Sequence, residues 1–143
     1  MELKDFIIRL VVALMAGLCI GFERQWRNKS AGLKTNMLVS TGSAIFVLLS
    51  VKFSELNNDV DVTRIVAQVV TGVGFLGAGV IFREGTNVHG LTSAATIWCS
   101  AAIGCVAATG FYIETFICTL LVLIVNVSIE PVDKWLRSRN ISD

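Results

Sequence analysis

Apolar positions along this chain fall into long runs separated by charge. Five such runs appear: Asp5 to Phe22, Thr35 to Phe53, Ile65 to Phe82, Leu91 to Gly110 and Phe111 to Ile129. Each approaches the roughly 20 residues that a helix needs to cross a hydrocarbon core. The pattern predicts an all-α fold, a polytopic transmembrane bundle of about five spans. The fourth and fifth runs almost touch at Gly110, which predicts a tight turn between antiparallel helices. Lys4 and Arg9 beside the first run resemble the start of a signal peptide. No small-residue cleavage site opens onto a polar domain, however, so the run reads as a retained first span.

Composition strengthens the membrane reading. The chain has 143 residues, 54% of them hydrophobic and 16% charged, which is poorer in charge than a soluble domain. Residues 1–130 read as one transmembrane domain, and residues 131–143 as a short cytoplasmic amphipathic tail started at Pro131. The Lys and Arg residues set the orientation. Arg24, Arg27, Lys29, Lys34, Arg83, Lys134, Arg137 and Arg139 fall on one side. Lys4, Arg9, Lys52 and Arg64 fall on the other, beside the acidic positions Glu55, Asp59 and Asp61. Eight against four places the C-terminus in the cytoplasm and the N-terminus outside. Trp26 and Trp135 then lie at the inner interface, and Arg9 can reach the outer headgroups. The net charge of +1, with no basic run interleaved with aromatics, sets nucleic acid aside.

Small residues concentrate in the third and fourth runs. Gly72, Gly74, Gly77 and Gly79 mark the third; Ser93, Ser100, Gly104 and several alanines mark the fourth. In lipid, close backbone approach through small residues is a main source of helix association, so these two spans are expected at the centre of the bundle. Gly17 and Gly21 give the first span a GxxxG spacing, which fits packing within the chain or a contact between copies, leaving a homo-oligomer open. The GxGxxG string at Gly72, Gly74 and Gly77 lacks the strand and following helix of a dinucleotide fingerprint and reads as packing. The single cysteines, Cys19, Cys99, Cys105 and Cys118, read as small hydrophobes. Gln68 and Asn126, inside spans, read as interhelical hydrogen bonders.

Candidate chemistry collects in two loops. One contains Glu23, Arg24, Gln25 and Arg27, followed by Lys34, Thr35 and Asn36. The other contains Arg83, Glu84 and Asn87, followed by Thr92. Both face the cytoplasm in the predicted topology and are expected to meet. Glu23 could neutralise Arg24, and Glu84 could neutralise Arg83. A solvated pair of positive-inside loops is the plainer reading; a site for a ligand, a lipid headgroup or a protein is the functional one. Hard cations take oxygen ligands, commonly carboxylates, yet no Asp or Glu lies near the middle of a span, and Glu114 is close to an outer end. A cofactor is not indicated, and Mg²⁺ has only weak support. No GxSxG, HExxH or P-loop is present, and there is one histidine, so the chain does not read as an enzyme.

Several strings carry a resemblance in combination. They are Gly21 to Arg27 (GFERQWR), Ala31 to Asn36 (AGLKTN), Arg64 to Ile81 (RIVAQVVTGVGFLGAGVI), Arg83 to Leu91 and Ala94 to Trp98 (AATIW). Together they closely resemble the membrane domain of the MgtC/SapB family. The resemblance implies a multi-pass protein of the bacterial cytoplasmic (inner) membrane, tied to growth in low magnesium and to virulence. It implies a regulator of other membrane proteins, such as the F-type ATP synthase or a magnesium transporter, with a Mg²⁺ or other ion transporter as the alternative. It implicates the Glu23 to Asn36 and Arg83 to Asn87 strings. Many family members continue past the fifth span into a soluble cytoplasmic domain, whereas this sequence stops soon after Pro131.

Overall fold

The computed structural model describes residues 1–56 and 60–139, with side chains through Ile129. Asp59 lies outside the described residues, as do the side chains of Lys134, Trp135, Arg137 and Arg139. Five helices run in order: α1 (Leu3–Trp26), α2 (Leu33–Leu56), α3 (Val62–Gly79), α4 (Leu91–Thr109) and α5 (Tyr112–Arg139). Each is long and apolar enough to cross a bilayer. Two short strands, β1 (Phe82–Glu84) and β2 (Asn87–His89), form an antiparallel hairpin between α3 and α4.

Local chemistry sets the helix ends. The α1 helix closes on backbone bonds, Arg27 N to Glu23 O and Lys29 N to Arg24 O, and the chain turns at Asn28 with φ 53°. Asn is one of the few residues that tolerates that region. Asp61 caps α3 by accepting a hydrogen bond from Thr63 N at 2.9 Å. Gly110, at φ 88°, closes α4 and turns the chain into α5, as the near contact of the fourth and fifth runs predicts.

Two boundaries differ from the sequence expectation. The third run continues in hydropathy to Phe82, but the helix stops at Gly79 and Phe82 opens a strand. Gly85 (φ 60°) and Gly90 (φ 87°) provide the left-handed turns that a hairpin and a helix start require here. At the other end, α5 continues to Arg139 without a break at Pro131. Residues 131–139 therefore extend the fifth helix rather than start a new one.

The α4 helix packs against α1, α2, α3 and α5, and it carries the largest buried share. Ala13, Ala44, Val47, Leu48, Cys105, Ala107 and Ala108 form the core toward the N-terminal end of α1. Backbones approach closely where glycine allows it. A Cβ at Gly17 would lie 2.6 Å from the Asn36 carbonyl oxygen, and one at Gly21 would lie 2.8 Å from Leu33 Cα. The GxxxG of α1 is thus an intramolecular contact with α2. At Gly104 a Cβ would overlap the Ser40 backbone carbonyl, so α4 and α2 touch there.

The expectation that α3 shares the centre with α4 is not met. Only Val73 and Gly77 of α3 are buried. Gly72, Gly74 and Gly79 have no atom of the described residues within 4 Å of where a Cβ would lie, so that side of α3 is open there. Gly77 alone faces a neighbour, with Ala94 Cβ 3.6 Å away.

Candidate functional site

The C-terminal ends of α1 and α3, the N-terminal ends of α2 and α4, and the later turns of α5 share one end of the bundle. Most of the buried hydrogen-bonding groups gather there. Arg24, on the last turn of α1, is 1% exposed, and its Nη2 donates to Ser93 Oγ at 2.9 Å. Ser30 Oγ, in the α1–α2 loop, donates to the same hydroxyl at 2.9 Å. Ser93 therefore pins the start of α4 to the first loop.

A second set lies deeper. Asn36 is fully buried; its amide nitrogen donates to the carbonyls of Ala31 and Gly32 at 3.0 and 2.8 Å. Its amide oxygen accepts from Ser100 Oγ at 2.8 Å. One turn further along α2, Ser40 Oγ donates to the Ala13 carbonyl at 2.8 Å. A buried polar group left unpaired costs about 1–3 kcal/mol, so these bonds fix the helix register as well as holding the helices together.

The third set faces α5. Asn126 Nδ2 donates to Glu23 Oε2 at 3.3 Å, and Asn126 Oδ1 accepts from Thr96 Oγ1 at 3.4 Å. Arg27 Nε lies 3.1 Å from Glu23 Oε1, close enough for an ion pair but out of line for a hydrogen bond. Spacing of four residues on one helix brings these charges together.

Several expected pairings are replaced. Glu23 meets Arg27 and Asn126, while Arg24 turns to Ser93. Arg83 donates from Nε to the Gly85 carbonyl at 2.8 Å instead of pairing with Glu84. Every residue of the two strands is exposed. Among the described residues Glu84 and Asn87 make no side-chain hydrogen bond or ion pair, so they do not join Glu23 or Asn36. What reaches the first loop from beyond the hairpin is Ser93. Thr92 is exposed and offers its carbonyl to Thr96 Oγ1. Gln25 is exposed, with its Oε1 3.5 Å from Leu33 N; Lys34 is exposed and Thr35 half-buried. Gln68 is exposed on α3 and among the described residues bonds to no other helix.

At the opposite end Arg9 binds within the bundle. Its Nη1 donates to the Ala108 carbonyl at 3.0 Å, satisfying the last turn of α4, and its guanidinium lies over Gly110. The Met1 ammonium pairs with Glu55. The Asp61 carboxyl is held below the usual range, chiefly by the Thr63 hydroxyl.

Sequence reasoning missed the bonding roles of Ser93 and Ser100, which looked like small packing residues, and singled out no role for Thr96. A signal was present in Arg24, which lies within the first helix and needs an acceptor from a neighbour. Among the described residues no group of three His, Cys, Asp or Glu side chains converges as metal ligands.

Comparison with known proteins agrees with this architecture. The chain is 45% identical over 137 residues to the uncharacterized protein slr0014 of Synechocystis, covering 96% of this chain and 57% of that protein. It is 44% identical over 142 residues to protein MgtC of Salmonella typhimurium, covering 99% of this chain and 60% of the relative. Protein MgtC of Brucella abortus is 48% identical over 122 residues, 85% of this chain and 50% of the relative. The chain thus spans between half and three-fifths of the length of these relatives. No solved structure matches it. The MgtC family model matches residues 10–135, and the chain belongs to that family as a multi-pass membrane protein.

Proposed function

We propose that this chain forms the membrane part of a bacterial inner-membrane regulator, which acts on other membrane proteins during adaptation to low magnesium and in virulence. Its polar end faces the cytoplasm and its N-terminus lies outside, in keeping with the eight-to-four distribution of Lys and Arg. The exposed hairpin, with Glu84 and Asn87, is then available to a partner such as the F-type ATP synthase or a magnesium transporter.

One observation carries the choice of regulator over transporter. The line of buried, hydrogen-bonded groups starts at Arg24 and Ser93, continues through Asn36 and Ser100, and stops at Ser40. Beyond that point Gly104 closes on the Ser40 backbone, Ala13, Ala44, Val47 and Ala108 form an apolar cluster, and the buried Thr41 Oγ1 and Ser50 Oγ of α2 find no hydrogen-bond partner among the described residues, so the bonded line is not continued. Glu114, in the first turn of α5, is exposed and forms no part of the line. A Mg²⁺ path calls for oxygen ligands along its length, since the ion gives up its waters reluctantly.

The test is Mg²⁺ uptake by proteoliposomes containing the purified chain under an imposed gradient. Uptake equal to that of empty vesicles is expected. Saturable uptake that Glu84→Ala removes would replace the regulator with a transporter.

A further inference from the structure

Burial along α5 declines from its outer end toward its polar end. Near the start of the helix Thr115 is 2% and Thr119 8% exposed, and their hydroxyls donate to the Phe111 and Thr115 carbonyls at 2.7 Å. Cys118, Val122 and Leu123, half-buried, pack on Ala16, Ile20 and Ile103. Asn126 is half-buried, and Val127, Ser128 and Ile129 are exposed. Over the same stretch a groove of about 240 Å³ opens between α4 and α5, with Thr96 and Cys99 on one bank and Val122, Val125 and Asn126 on the other. Packing thus seats the outer half of α5 and leaves the polar half parted from α4.

The outer end is also tied down by the chain itself. Gly110 turns α4 into α5 at φ 88°, and Arg9 donates to the Ala108 carbonyl beside it at 3.0 Å. Across the parted half, the link made by the described side chains is Asn126, 3.3 Å from Glu23 Oε2 on α1 and 3.4 Å from Thr96 Oγ1 on α4. Both bonds exceed the most frequent lengths, about 2.9 Å for N–H···O and about 2.7 Å for O–H···O. Each partner is also satisfied without Asn126: Glu23 lies against Arg27, and Thr96 donates to the Thr92 carbonyl at 2.9 Å. Release of Asn126 therefore strands neither the carboxylate nor the hydroxyl, and the link opens at small cost.

We infer that α5 is a lever, seated between Gly110 and Thr119, that swings at its polar end when Asn126 lets go of Glu23 and Thr96. It is long enough to carry that movement out of the bilayer. Its 28 residues span about 42 Å, against about 30 Å of hydrocarbon. Measured from Gly110, Asn126 lies about 24 Å along and Arg139 about 44 Å, so a displacement at Asn126 is nearly doubled at Arg139. A change at the start of α4, which follows directly on the hairpin, reaches Asn126 through the Thr96 hydroxyl. The inference goes beyond the regulatory reading by naming the element that moves, and it does not depend on that reading.

Distances between spin labels, measured by double electron–electron resonance in phosphatidylethanolamine–phosphatidylglycerol liposomes, test this. The four native cysteines are replaced by alanine. One pair, Leu38→Cys on α2 and Val127→Cys on α5, reports the polar end; the other, Phe53→Cys and Ile113→Cys, reports the outer end, and all four positions are exposed. The expected inner-pair distribution has a main shorter and a minor longer population. Asn126→Leu should raise the ratio of longer to shorter about threefold, the effect of one intramembrane hydrogen bond, with the outer pair unchanged. Thr96→Val, which keeps the volume of the side chain, should move the inner pair in the same direction by less. An inner pair that neither variant changes, or an outer pair that changes as much as the inner one, would overturn the inference. The flux test reads ion uptake and not helix position, so the lever and the regulatory reading can fail separately.

Discussion

The α3 and α4 helices have similar sequences, dense in glycine, alanine and hydroxyl side chains, yet they occupy opposite situations. Of their apolar windows, 17% is buried in α3 and 56% in α4. Small residues permit helices to approach, but they do not determine which neighbour, if any, takes up the offer. The difference lies in the polar groups. Ser93, Thr96 and Ser100 tie α4 to Arg24, Asn126 and Asn36, on α1, α5 and α2 respectively. Among the described residues no side chain of α3 bonds to another helix. Gly104 is therefore pressed against α2, and the side of α3 at Gly72 is left open.

Matched substitutions give the largest expected contrast. Gly104→Leu must displace the Ser40 backbone and should cost about 3 kcal/mol or more in a thermal unfolding measurement in detergent. Gly72→Leu, with open space around it, should stay within about 0.5 kcal/mol. Equal losses would erase the distinction between the helices.

Removing a tie should weaken α4 without crowding it. Asn36→Leu removes the side-chain partner of the Ser100 hydroxyl and of the Ala31 carbonyl, while Gly32 keeps its backbone bond from residue 36, and should cost about 1–3 kcal/mol. Unfolding in detergent would register this as a lower midpoint, and an unchanged midpoint would mean that packing alone holds α4 in place.

The smallest effect belongs to the exposed cap of α3. Thr63 donates from its hydroxyl and its amide to Asp61, lowering the carboxyl's pKa. A group held low in the folded state stabilises it above the ordinary carboxylate value of about 3.9. That contribution disappears as pH falls through the lower folded value. Hydrogen exchange at the Thr63 amide should accelerate relative to mid-helix amides below about pH 4, and Asp61→Ala should remove this pH dependence.

The sequence made the five helices legible because each requires a long apolar run, and Gly110 marked the last turn. It did not reveal the hairpin. Ile81 and Phe82 continue the apolar run, and only Gly85 and Gly90 hint at the turns. The polar end was half legible. Glu23, Arg24 and Asn36 stood out as charged or amide residues next to a span. Their partners, Ser93, Ser100 and Thr96, did not, because serine and threonine in a membrane helix look the same whether they pack or bond. Glu84 and Asn87 resembled site residues by composition, but a two-stranded turn holds them away from the buried groups.

The central claim is that the polar line from one end stops at Ser40, sealed by α4. Its most direct test is thiol labelling with a membrane-impermeant maleimide from the polar side, with the four native cysteines replaced. Ser30→Cys, in the exposed loop, should label readily, and Ser40→Cys should remain unlabelled in the folded protein. Labelling of Ser40→Cys at a rate comparable to Ser30→Cys would mean a water-filled path through the bundle and would contradict the account.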